Sequence, residues 1–172
     1  LTLSAGAPDI DTVEGVIGLC YDEHGAAHSF RRHRGEFFVT SHTLSGESNS
    51  SIQLEIIPEI FGAAFAAGLS DLVPMVARRD QIFLALGDQL VRIHRGQIGT
   101  KPLPAPAVKL TASPHLSALR IVAALEDGSA LLIRGDSYWE APPIYLPATD
   151  AFPLPCFDRG GNLFIAHGRH LL

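Results

Sequence analysis

The 172-residue sequence predicts an all-β chain assembled from antiparallel hairpins, and three observations carry that expectation. Short apolar runs recur in pairs joined by tight, Gly-containing turns, which is the chemistry of a hairpin whose turn needs positive φ. The turn glycines Gly87, Gly128 and Gly168 follow one another at separations of 41 and 40 residues. Between the pairs lie proline-rich stretches, whose missing N–H groups bar them from central strands.

Taken in order, the first hairpin is Val16 to Tyr21, turning at Glu23-His24-Gly25 into Ala27 to Phe30, and it stands outside the period. Phe37 to Thr40 and Ile52 to Leu54 flank Gly46, which lies 41 residues before Gly87 and marks a candidate fourth, divergent copy. One short inserted helix is predicted over 58–69. Pro58 suits its first turn, alanines fill its interior and Gly68 stands near its end. Three hairpins then follow the period: Ile82 to Leu86 with Leu90 to Ile93, Ile121 to Leu125 with Ala130 to Ile133, and Leu163 to Ala166 with His170 to Leu172. A first strand precedes the last two, at Val108 to Thr111 and Leu154 to Phe157, so each repeat holds three or four strands with the apolar central pair most buried. Lys101 to Pro106 and Ala141 to Pro155 are edge strands and connecting loops.

Two regions result: an irregular β region with the helical insertion over 1–73, containing a candidate divergent blade, and regular repeats over 74–172. A period near 41 residues lies in the range of propeller blades, so the expected architecture is an incomplete or partial β-propeller. From Pro74 to Leu172 the chain resembles β-propellers of the broad WD-repeat-like kind. The resemblance rests on Ser113 to Arg120 leading into Ile121 to Ile133 with Asp127-Gly128, and on Phe157 to Asn162 leading into Leu163 to Ala166. Trp-Asp and Gly-His signature pairs do not occur, since Trp139 is followed by Glu140. The resemblance implies a scaffold presenting loops, whose ring is completed by further blades from a longer chain or a partner.

Composition narrows the partners. Thirteen basic residues against eighteen acidic ones leave a net charge of −5, with no excess to neutralise phosphates, so nucleic acid is not expected. Arg31, Arg32, His33 and Arg34 crowd together beside Asp22, Glu23 and Glu36 and read as a solvated loop. Cys20 and Cys156 form no disulfide framework, which points to a reducing, cytoplasmic setting. The chain opens Leu1-Thr2-Leu3-Ser4 without the features of a signal peptide. Its longest apolar run, Ile56 to Leu69, is interrupted by Pro58 and Glu59 and falls short of the roughly 20 residues that cross a bilayer. No membrane span is expected. The absent initiator Met and the apolar Leu171-Leu172 suggest an excerpt of a longer protein.

For chemistry, Gly35 to His42 resembles the strand and turn that carry the catalytic histidine in trypsin-like serine proteases, and the hairpin from Gly15 to Phe30 suits that family too. Asp71 and Ser137 follow in its His, Asp, Ser order. The resemblance implies that Ser137 attacks an acyl carbon, His42 takes its proton and Asp71 fixes the imidazole tautomer. After Ser137 the chain has Tyr138-Trp139-Glu140 where that family has glycines.

Eight histidines include the cluster His24, His28 and His33 and the pair His167 and His170. Gly25 makes the former region a hairpin turn, and no cysteine or carboxylate completes a tetrahedral set beside the latter, so no metal is expected. Asp158 to Asn162 has too few oxygen donors for calcium and reads as a turn feeding Leu163. No phosphate-binding glycine motif occurs, and no cofactor is expected.

Tyr138, Trp139 and Tyr145 are the expected binding residues, because aromatic side chains give contact area at small entropic cost. The expected function is a non-enzymatic scaffold or protein–protein interaction module in a larger intracellular protein or complex, with a protein partner. The alternative is a trypsin-like serine hydrolase, or an inactive protease-like domain, using His42, Asp71 and Ser137.

Overall fold

The structure, a computed structural model, describes residues 15–34, 36–43, 48–54, 73–115, 119–135, 140, 142–147, 149 and 151–172. Its described residues form fifteen strands in four antiparallel sheets and no helix. The helix predicted over 58–69 lies outside the described residues. By its internal contacts the chain divides into two units, 1–73 and 74–172.

The first unit holds one sheet, a meander of β1 (Val16–Tyr21), β2 (Ala27–His33), β3 (Glu36–His42) and β4 (Ser48–Leu54) in that order. The second holds three. β5 (Met75–Arg78), β6 (Gln81–Leu86), β7 (Gln89–His94) and β8 (Gln97–Pro102) form one meander. A second contains β9 (Ala107–Ala112), β10 (Arg120–Leu125), β11 (Ala130–Arg134) and β12 (Pro143–Ile144). The last has three strands, β13 (Leu154–Phe157), β14 (Leu163–His167) and β15 (His170–Leu171).

The predicted repeat has a backbone cause. Gly87, Gly128 and Gly168 adopt φ of 58°, 81° and 62°, a region that strains any residue with a Cβ, and each joins the second and third strands of its sheet. Gly46, the candidate mark of a fourth copy, lies outside the described residues. In the first sheet the connection between the second and third strands includes Arg34 at φ 51°. Arg31, Arg32 and His33 continue β2 and do not form a loop. The arginine tips can reach water while their stems lie along the strand, and the Arg32 guanidinium sits 5.8 Å from the centroid of the Phe37 ring, which stacks on Phe30.

β6 is buried at every position and β10 at every position after Arg120, so both central strands are covered on both faces. Phe83, Ala85 and Leu90 of one sheet pack with Leu110, Ile121, Ala123, Leu125 and Ile133 of the next in one apolar cluster. A backbone bond also crosses between these neighbouring sheets, the Ala107 N–H donating to Gly87 O, while the Glu126 N–H donates to Pro106 O and extends the β9–β10 pairing. Prolines keep to the periphery, as Pro102 ends edge strand β8 and Pro143 opens edge strand β12.

One glycine ties the second and third of these sheets together. Gly161 has φ 78°, and a Cβ there would lie 2.9 Å from His115 Cβ and 3.0 Å from Ser113 Oγ. Gly161→Ala is therefore expected to destabilise the protein by about 1–3 kcal/mol. Gly99→Ala, at ordinary φ with nothing within 4 Å, is expected to stay within about 0.5 kcal/mol of wild type. Urea denaturation of the two variants checks this contrast.

Candidate functional site

Side-chain chemistry concentrates at one end of the first sheet. The β1–β2 turn is closed by Asp22, whose Oδ1 accepts the N–H groups of His24 at 2.8 Å and Ala26 at 2.9 Å, while Gly25 supplies the positive φ of 83°. This leaves Oδ2 of Asp22 3.3 Å from Nε2 of His28, the second residue of β2. On the other side of the imidazole, Nδ1 lies 2.9 Å from Oγ of Ser41. His28 and Ser41 are directly opposed in the β2–β3 register, Cys20 opposes His28 on β1, and Ser50 opposes Ser41 on β4. Opposed residues share a face, so Cys20, His28, Ser41 and Ser50 form one row across the sheet.

The neighbouring row faces the other way. Ser29, Thr40 and Ser51 are opposed across β2, β3 and β4, with Thr40 Oγ1 and Ser51 Oγ 3.2 Å apart. Here Ser29 Oγ lies 2.9 Å from Nε2 of His42. Partial burial works against the Asp22 charge, but the N–H groups of Ala26 and His24 and the His28 ring outweigh it and hold the carboxyl below its ordinary range. Burial, reinforced by the Asp22 charge, pushes the Cys20 thiol up to about 12.

The residues singled out from sequence are distributed as follows. His42 is placed against Ser29, while Asp71, Ser137, Tyr138 and Trp139 lie outside the described residues. Tyr145 follows β12 and is 92% exposed. Asp158 closes its own turn, accepting the Asn162 N–H and side-chain N–H at 2.8 Å each, as a turn feeding Leu163 requires. Among the described residues no three His, Cys, Asp or Glu side chains are grouped to hold a metal, and no helix is long and apolar enough to cross a membrane.

Sequence reasoning passed over the Asp22, His28 and Ser41 chain. Its signal was available in the sequence, because a two-residue hairpin turn read at Arg34-Gly35 would set His28 and Ser41, each six residues away, opposite one another, as the register does.

The three-stranded sheet offers a different kind of surface. Pro155, Ile165 and His167 are buried on its inner face, and the Arg120 guanidinium joins it to the preceding sheet by donating to Gly161 O at 3.1 Å and lying 5.8 Å from the Phe157 ring centroid. His167 is only 2% exposed, and neither ring nitrogen has a hydrogen-bond partner. The outer face carries Leu154, Cys156, Phe164, Ala166 and Leu171, all exposed and all apolar or weakly polar.

No family model and no curated protein matches this chain. Solved structures do. Selenomethionine-substituted virginiamycin B lyase from Staphylococcus aureus is 16% identical with a TM-score of 0.53, and the match covers 87% of this chain and 47% of that one. A catalytically inactive variant of the same lyase with quinupristin is 16% identical at a TM-score of 0.54, covering 86% and 47%. The chain thus spans about half the length of the structures it matches. At this identity the likeness establishes a propeller-like all-β fold and nothing of activity.

Two outcomes are expected. Iodoacetamide should alkylate exposed Cys156 in the native protein and leave buried, protonated Cys20 intact until the protein unfolds, as peptide mass mapping would record. Asp22→Asn should lower stability at pH 7 and have little effect near pH 2. The folded carboxyl has the lower pKa, so its contribution is present above the ordinary value of about 4 and is lost as pH falls through the folded value. Denaturation curves at the two pH values test this.

Proposed function

We propose that the Pro74–Leu172 unit is a non-enzymatic, propeller-like scaffold that binds protein through the outer face of its three-stranded sheet, within a larger intracellular protein or complex. The observation that supports this reading is the apolar character of that face: Leu154 is 57%, Phe164 38% and Leu171 72% exposed. A sheet that is apolar on both sides gains by being covered on both sides.

The partner such a face fits is another apolar β-sheet of the same architecture. Coverage of only about half of the matched structures supports it, because sheets equivalent to the remainder would stand beside those seen here. Tyr145, 92% exposed after β12, extends the binding surface, and Tyr138 and Trp139 precede β12 in the sequence. The lyase activity named for the matched structures is not carried over to this chain. The trypsin-like alternative of His42, Asp71 and Ser137 gains no specific support, as His42 is engaged with buried Ser29.

In the whole protein, Phe164→Asp combined with Leu171→Asp is expected to reduce recovery of the stable partner at least tenfold on affinity purification. In the 172-residue chain alone, the same pair should abolish self-association seen by sedimentation velocity. Equal partner recovery with and without the substitutions would overturn the assignment.

A further inference from the structure

We infer that Ser41, His28 and Asp22 form an activated-serine site that accepts small apolar acyl groups from carboxylic esters. The site lies in the first unit and is independent of the scaffold role proposed for the second.

The argument starts from proton polarity. An ionised carboxylate can only accept, so the proton between Asp22 Oδ2 and His28 must reside on Nε2. A neutral imidazole with its proton on Nε2 has a bare Nδ1, and Ser41 must then be the donor across the 2.9 Å contact. The hydroxyl therefore points its proton at a base whose far side is held by a carboxylate, the polarity that nucleophilic catalysis by serine requires. Here Nδ1 serves as the base and Nε2 as the anchored nitrogen.

Two comparisons within the sheet separate this chain of groups from an ordinary cross-strand pair. Ser29 and His42 make the same 2.9 Å contact, but Ser29 is 3% exposed and no substrate can reach it. Ser41 and His28 are not fully buried, the His28 side chain being 12% and that of Asp22 19% exposed. Asp22 is also held in place without help from His28, because its other oxygen is saturated by two backbone N–H groups of the turn. The carboxylate is thus preorganised, not recruited.

The substrate class follows from the surroundings. Two residues along each strand on the same face stand Phe30 and Val39, opposed to one another and almost wholly buried. Both are closed to solvent, so they back the row with apolar side chains and leave no room beneath the hydroxyl for a long acyl chain. Cys20 and Ser50 complete the row without a charge. A short, uncharged acyl group fits that setting.

In the reaction, Ser41 Oγ bonds to the carbonyl carbon while its proton passes to His28 Nδ1. The carbonyl–alkoxy bond then breaks and that proton leaves with the alcohol, giving acyl-Ser41. Water adds by the same route, the acid departs and the serine hydroxyl is restored.

The test uses the intact 172-residue chain with a fluorophosphonate probe and with 4-nitrophenyl acetate. A single phosphonyl adduct mapping to Ser41 is expected, together with ester hydrolysis above the buffer rate. Ser41→Ala should abolish both, and Ser29→Ala should leave both within about twofold. Asp22 acts as a positioning residue, so Asp22→Asn should lower kcat by about 10²- to 10⁴-fold with KM unchanged. Absence of an adduct on folded wild-type protein, an adduct at another serine, or a change in KM alone for Asp22→Asn would overturn the inference. Mapping the adduct on wild type decides the point even if a variant fails to fold.

Discussion

Burial of β6 and β10 on both faces is the constraint from which the rest of the second unit follows. A strand sealed above and below can pair its backbone groups only with strands at its sides, and each orphan would cost about 1–3 kcal/mol. It therefore sits inside a meander, flanked by partners that a tight turn delivers in fixed register. A glycine at positive φ makes such a turn possible between the second and third strands, and the 41-residue spacing is the length of one meander plus its proline-containing exit. Sheets built this way have two apolar faces, so one sheet calls for another.

The first unit uses the same meander with a different filling. β4 begins Ser48-Asn49-Ser50-Ser51, and serines, a threonine and histidines occupy rows that carry leucines and isoleucines elsewhere. Rows of opposed hydroxyls and imidazoles satisfy one another across strands instead of packing by volume alone. Strand register thereby does the work of assembling chemical groups from distant positions, and one residue of slip would send His28 and Ser41 to opposite faces.

What could be read in advance tracks where glycine marks the turn. The hairpins at Gly87, Gly128 and Gly168 were legible, and so were β9 and β13. β5 was not, because its turn is Arg79-Asp80, two residues with φ of 51° and 58° that carry no glycine to announce them. β8 was hidden by its composition: an edge strand such as Gln97 to Pro102 needs little apolar character. Tyr145 was legible as an accessible aromatic, whereas the Asp22, His28 and Ser41 chain was not. Arg31 to His33 read as a charged loop, and ending β2 at Phe30 removed the turn from which the pairing of His28 with Ser41 is counted.

The three-stranded sheet has one further property beyond its apolar face. Among the described residues β15 carries no strand on its far side, although Ile165 and Leu172 exchange hydrogen bonds on its near side. A free strand edge recognises any extended backbone regardless of sequence, while an adjoining side-chain face discriminates by shape. Together they separate capture from selection. A segment can be held first by its main chain and retained only if its side chains fit, so binding there would tolerate sequence drift along the edge and punish it on the face.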